Sequence, residues 1–360
     1  MKRLIIAVAA AILPTLALAQ APQEIPFVGT DALSPPADMH LGEVAGVAVN
    51  PKDGHILVFQ RGNTTGPAYG AAAAQLLEFG HDGKFIREIG HNLYAWAFAH
   101  AVRVDPQGNI WVADKGSDMV IRFNPQGRVT WVFGRKPEAS DENAHPLEHP
   151  KPPLPAVDGQ FRQVTDMAWD SKGNTYISDG YINSRVAKIG PDGRWLKSWG
   201  SYGKAPGQFD TLHSIAVDAQ DQVYVADRGN RRIQVFDTEG KLLKIITIDV
   251  PAPADAQPAI GAKPNPAAGG NPTMYPGAPW ALCITPKVPG KEQVLYASDA
   301  YPGRIYKMTL DGKVLGYLGS SGKNLGQFGW IHEIACPSEN ELYVGELLNW
   351  RLQKLTLHPR

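Results

Sequence analysis

Four stretches of this chain repeat one pattern, and that repetition limits the possible fold more tightly than any other property. HAVRVDPQGNIWVADKGSDMVIRFNPQG from His100, TDMAWDSKGNTYISDGYINSRVAKIGPDG from Thr165, HSIAVDAQDQVYVADRGNRRIQVFDTEG from His213 and HEIACPSENELYVGELLNWRLQKL from His332 align in register. Each begins with an apolar strand and a polar turn, followed by a second strand that commonly ends in Asp, then a third strand. Looser copies begin near Ala45 and Trp280, which makes six. The strands are short, and the turns carry the Gly, Asn or Asp that positive φ favours, so each copy reads as a four-stranded antiparallel meander. One such sheet cannot bury both faces alone. Radial packing of six copies supplies the missing neighbours and leaves only short edges. The sequence therefore predicts an all-β, six-bladed β-propeller over residues 20–360. The last copy stops after its third strand, so Glu24 to Thr30 is expected to supply the fourth and close the ring.

The amino end speaks to compartment. Lys2 and Arg3 precede an apolar run from Leu4 to Leu18, and Ala17-Leu18-Ala19 offers a small-residue cleavage site. Residues 1–19 read as a secretory signal peptide, so the mature protein is expected to be exported, periplasmic or secreted. No later segment is long and apolar enough to insert in a membrane. With 35 basic and 35 acidic side chains there is no net field to attract nucleic acid or an anionic bilayer. The two cysteines, Cys283 and Cys336, fall in expected inner strands, where they either pair in an oxidising compartment or stand as buried thiols. Residues 137–159 and 251–277 break the period and read as long loops, not domains. His145 and His149 lie in the first, a Pro-rich setting that makes a poor frame for a metal.

Register within the repeat locates a site. In an antiparallel meander the start of the first strand and the finish of the second share one end of the sheet, here one mouth of the ring. The first-strand starts in blades one to six are Ala45, His100, Thr165, His213, Trp280 and His332. Alternate blades of a six-fold ring are related by a threefold, so the three imidazoles should converge on the channel axis. Three neutral His ligands with an open position suit a catalytic Zn²⁺. The second-strand ends add Arg61, Tyr181 and Arg228 at the same mouth. Two guanidiniums beside a cation imply an anionic ligand between them, since Arg grips a carboxylate with paired hydrogen bonds. Tyr181 could serve as a base if the metal and the arginines lower its pKa. Asp114, Asp179, Asp227 and Asp299 recur at second-strand ends whatever the site residues, and read as structural turn acceptors. Trp280 and Trp330 either line a pocket or pack between blades.

The repeats resemble NHL propeller repeats, and the site resembles that of the peptidyl-α-hydroxyglycine α-amidating lyases. FQRGN around Arg61, FAHAVRVD around His100, ISDGYINSRV around Tyr181, HSIAVD and VADRGNRRIQVF around His213 and Arg228, and IHEI around His332 carry the resemblance. It implies zinc on His100, His213 and His332, Tyr181 as general base, and Arg61 and Arg228 holding the substrate. It also implies a structural calcium in the channel, at Glu333 with the carbonyls of Val47 and Val102. Glu333 stands where the family has Asp, and Trp330 where it has Met. The expected reaction is cleavage of a carbinolamide with an α-hydroxyglycine-like carboxylate, small molecule or peptide, to an amide and glyoxylate by a monomeric enzyme. The rival is a non-enzymatic NHL propeller that binds a peptide or envelope protein across its mouth, because one fold hosts many functions. A propeller hydrolase or lactonase is disfavoured by histidines where such sites carry acids.

Overall fold

A computed structural model describes residues 22–62, 74–136 and 155–358. Residues 1–19, with their expected signal peptide, lie outside the described residues, as does most of the 137–159 stretch with His145 and His149. Six four-stranded antiparallel sheets form the blades of the ring. Blade two, typical of the first five, runs Ala99–Val104, Ile110–Asp114, Met119–Phe123 and Val129–Gly134 in simple meander order.

The inner strands explain why the chain must close on itself. In blade three, Thr175–Asp179 and Arg185–Ile189 are buried at every position, while the fourth strand, Trp195–Trp199, is only partly covered. A strand buried on both faces needs a sheet on each side, and the neighbouring blades provide them. Between blades three and four, for example, Tyr176, Val186, Phe209, Leu212, Val225 and Phe236 form one apolar layer. Blades one and six meet in the same way, through Val47, Val58 and Phe79 against Ala335 and Tyr343. The ring closes as expected, with a small shift in bounds. Phe27–Asp31 pairs antiparallel with Arg351–Leu357 as the outermost strand of blade six, Phe27 opposite Leu357.

The carboxylates at second-strand ends have a wider role than turn acceptors. Asp114 accepts the backbone N–H groups of Ala97 and Phe98 as well as those of Gly116 and Ser117. Asp179 takes the N–H of Arg162, Asp227 that of Asp210, and Asp299 that of Gly277. Glu346 does the same for Gly329 in blade six, and the Gln60 side chain for Gly42 in blade one. Each of these six side chains is buried, and each fastens the segment that enters its own blade's inner strand. That segment leads directly into the first-strand positions that form the mouth.

Residues 251–277 do form a loop, carrying two short 3-10 turns at Pro266–Ala268 and Pro272–Met274. The second turn anchors the mouth, because the Thr273 carbonyl accepts the indole N–H of Trp280. Cys283 and Cys336 are joined by a disulfide, which links the inner strands of blades five and six. Among the described residues no helix is long and apolar enough to cross a membrane.

Candidate metal centre and channel mouth

The three histidines meet as the register requires. The imidazole centroids of His100, His213 and His332 stand 4.5 to 4.8 Å apart, and one nitrogen from each lies within 4.8 Å of the other two. Their aim comes from local irregularity in the strands. Pairing shifts between Ala99 and Ala101, between Leu212 and Ile215, and between Ile331 and Glu333, so each histidine falls in a β-bulge. A bulge leaves a residue outside the ladder and re-aims its side chain, here toward the channel.

The odd-numbered blades then fix each ring. Nδ1 of His100 donates to the Thr165 carbonyl, Nδ1 of His213 to that of Trp280, and Nδ1 of His332 to that of Ala45, all at 2.7 Å. A carbonyl can only accept, so the proton sits on Nδ1 and the lone pair on Nε2 faces the axis. His213 Nε2 is buried without a hydrogen-bond partner. Nε2 of His332 accepts from Arg61 Nη2 at 3.2 Å, which again requires an unprotonated nitrogen, since guanidinium only donates. Burial, reinforced by neighbouring imidazoles and by Arg61 and Arg228, holds all three well below the usual histidine pKa of 6.5. Three neutral imidazoles with converging lone pairs, one of them orphaned, fit a borderline divalent ion such as Zn²⁺.

Arg61, Tyr181 and Arg228 surround this cluster. Arg61 donates to the Ala99 carbonyl, pairs with Glu43 at 3.1 Å, and lies 4.0 Å from the centroid of Phe98. The Tyr181 hydroxyl is 3.5 Å from His100 Nε2 and 3.4 Å from Arg228 Nη2. Burial alone would raise its pKa, but Arg228, Lys115 and Arg61 outweigh that and hold the phenol below its ordinary value of 10. The chemistry is that of a phenol primed to lose its proton. Arg228 does not pair with the adjacent Asp227, whose carboxylate is taken by Arg232, Asn230 and Gln234. It stacks instead 4.4 Å from the centroid of Trp280, with its Nε buried and unsatisfied. A buried cation with a free donor beside a phenol and three imidazoles is a seat for an anion. Trp280 and Trp330 pack against one another at 5.7 Å, and Trp280 also faces His213 at 5.5 Å, so the indoles both pack and wall the mouth.

Lys115 is a site residue that the sequence reading missed. Its ammonium lies 3.9 Å from the centroid of Tyr181 and 5.1 Å from that of Phe98. The register held the signal: Lys115 follows Asp114 as Arg228 follows Asp227 and Arg61 follows Gln60. Glu333, Val47 and Val102, the residues expected at a channel calcium, do come together. Glu333 Oε2 accepts the N–H groups of Val47 and Val102, at 2.8 and 3.1 Å, and its Oε1 lies 3.0 Å from Arg103 Nε. A guanidinium therefore stands beside the one acid of that set.

Comparison with known proteins bears on the fold and the family. The NHL repeat family model matches residues 209–236. Peptidylglycine alpha-amidating monooxygenase of Rattus norvegicus is 30% identical over 223 residues, covering 56% of this chain and 21% of the rat protein. Peptidyl-alpha-hydroxyglycine alpha-amidating lyase 1 of Drosophila melanogaster is 25% identical over 283 residues, covering 76% of this chain and 46% of the fly protein. The chain thus spans less than half the length of either relative. Among solved structures, a gluconolactonase of Xanthomonas campestris superposes with a TM-score of 0.58 at 13% identity, over 94% of this chain and 95% of that one, a likeness of fold alone. The chain is an NHL-type, six-bladed β-propeller related to the peptidyl-α-hydroxyglycine α-amidating lyases.

Proposed function

We propose that this protein is an exported, zinc-dependent carbon–nitrogen lyase that cleaves a carbinolamide, R-CO-NH-CH(OH)-COO⁻, into an amide and glyoxylate. The observation that carries the reading is the convergence of three lone pairs from even-numbered blades beside a phenol of lowered pKa and a buried arginine whose Nε has no partner. His100, His213 and His332 would hold the zinc. Bound there, it would supply a Lewis acid for the substrate's α-hydroxyl.

The chain's own groups account for the rest. Arg228 receives the carboxylate with its free Nε, and Arg61, fixed by Glu43 and the Ala99 carbonyl, borders the other side. Tyr181, reacting as its phenolate, accepts the hydroxyl proton. The O–H electron pair becomes the new C=O of glyoxylate as the C–N bond breaks, and its electrons leave on nitrogen. The proton held by Tyr181 passes to that nitrogen, which departs as the neutral amide. Atoms and charge balance without water or a redox partner.

Export rests on the signal-like residues 1–19 and gains support from the Cys283–Cys336 disulfide, a bond at home in oxidising compartments. The experiment is metal analysis of the purified protein alongside turnover of α-hydroxyhippurate, followed as benzamide and glyoxylate. Zinc is expected at one per chain, and Tyr181→Phe is expected to lower kcat by roughly 10²–10⁴-fold. Absence of stoichiometric zinc, or a Tyr181→Phe enzyme as fast as wild type, would defeat the assignment. Zinc without glyoxylate release would keep the metal centre and discard the substrate.

A further inference from the structure

Immediately beyond the histidines, the channel is crossed by a polar network to which every blade contributes. At its centre is Arg103, from the inner strand of blade two. Its Nε and Nη2 donate to the two oxygens of Asp166 in blade three, at 2.9 and 2.7 Å. Nη2 also reaches the Leu282 carbonyl of blade five at 3.4 Å, and Nη1 the Ile334 carbonyl of blade six at 3.3 Å. Asp166 in turn accepts from the Ser214 hydroxyl and the Ile215 N–H of blade four. Glu333 of blade six pairs with Arg103 and accepts the N–H of Val47, in blade one. Asp166 and Glu333 are both almost fully buried, at 2% exposure each.

Two carboxylates buried on a propeller axis need a cation, or a bound proton, to offset their charge. A calcium ion would satisfy them only with six to eight oxygen ligands at about 2.3–2.6 Å. Three of the four carboxylate oxygens are turned to other donors: both of Asp166 to Arg103, Ser214 and backbone N–H groups, and Oε2 of Glu333 to two backbone N–H groups, while Glu333 Oε1 accepts no hydrogen bond and meets only the charge of Arg103, 3.0 Å from Nε. The two carbonyls that face the axis from blades five and six point at the guanidinium. Glu333 fits this arrangement because residue 46 is glycine. A Cβ there would come within 2.9 Å of Glu333 Oε2 and 2.8 Å of Val102 N, so the gap that admits the longer acid exists only without a side chain.

We propose that Arg103 is a built-in cation that takes the place of the calcium implied for this channel, so that the chain needs one metal, at the histidines, and no second. Ser214 follows His213 and Glu333 follows His332, so the guanidinium braces two of the three ligand-bearing strands from below. The network does not depend on the lyase assignment, and its test reads stability and metal content without activity.

The test uses the purified mature protein and its Arg103→Met, Glu333→Gln and double variants. Calcium content is measured by mass spectrometry after gel filtration, and Tm is measured in buffer freed of calcium and in millimolar CaCl₂, with the same added zinc in both. Wild type is expected to hold no stoichiometric calcium and to melt at the same temperature in both. Arg103→Met strips the axial acids of their cation, so its Tm should fall by about 5 °C in calcium-free buffer and recover partly with CaCl₂. The double variant, which loses one acid along with the cation, should melt above Arg103→Met and respond less to calcium. If Arg103→Met does not fold, the double variant and the wild-type calcium response still decide. Stoichiometric calcium in wild type, a calcium-raised wild-type Tm, or a double variant less stable than Arg103→Met would each overturn the proposal.

Discussion

Breaking the Cys283–Cys336 bridge offers a quantitative test of how the ring is tied together. The bond closes a loop of 53 residues between the inner strands of blades five and six. In the chain-entropy account, a cross-link of that span withholds about 4 kcal/mol of freedom from the unfolded chain at 25 °C. Unfolding entropy near 60 °C runs at about 2.1 cal/mol/K per residue, so for a chain of this size the loss corresponds to a fall in Tm of roughly 6 °C. The folded state should change little, since Cys336 is buried in a layer with Tyr296, Ile334 and Val344 that holds these strands together without the bond. The assay is thermal unfolding of Cys283→Ala, Cys336→Ala and the double variant, with wild type measured with and without reductant. Either single substitution already removes the cross-link. The double variant should therefore melt near the singles, and reductant should shift only wild type. A drop below about 1 °C would mean that unfolded-state entropy is not what the bond controls. Losses that add between the two singles would mean that side-chain packing, not the covalent link, carries the effect.

Two further outcomes concern the mouth. Arg228→Met keeps most of the packing against Trp280 but removes the free donor; if Arg228 seats the carboxylate, KM for an α-hydroxyglycine-type substrate should rise at least tenfold while zinc content is unchanged, and an unaltered KM would remove Arg228 from binding. The three histidines are held neutral in the folded protein, with pKa values well below the 6.5 they have when unfolded. The unfolded chain then binds more protons as pH falls through that range, so stability is present above about 6.5 and is lost as pH drops. Zinc-free protein should show this loss in a Tm series from neutral to mildly acid pH, with a shallower slope in His213→Asn. Equal slopes in the two proteins would refute the assignment.

Much of the mouth was legible because the repeat supplies its own ruler. A histidine at one register position in blades two, four and six needs no distances to be noticed, and the ring converts that alternation into convergence. The carbonyls that lock the rings belong to Thr165, Trp280 and Ala45, the same register position in the other three blades, so both halves of the device lay in one column of the alignment. The bulges that aim the rings were not legible, since an unpaired residue leaves no mark on an apolar pattern. The axial network escaped for a related reason. Arg103 stands three residues past His100, whereas Asp166 and Glu333 stand one past their own register positions, and only the folded strands bring those offsets together. Lys115 was within reach of the register but was passed over beside the turn-forming Asp114. The cysteine pairing stayed open because a sequence gives no separation between strands, which the ring sets at 6.1 Å between α-carbons.

Blades one to five are each contiguous in the chain and can assemble from nearby residues, but blade six borrows its last strand from the opposite terminus. Contacts of such long separation tend to form late, after the local meanders. The histidine cluster straddles that seam: His332 belongs to blade six, and its Nδ1 is latched to Ala45 in blade one. Two imidazoles can be in place in a half-finished ring, while the third is oriented only once the two ends have met. The converged trio of imidazoles thus becomes a report on completed assembly, which a partly folded chain should not present.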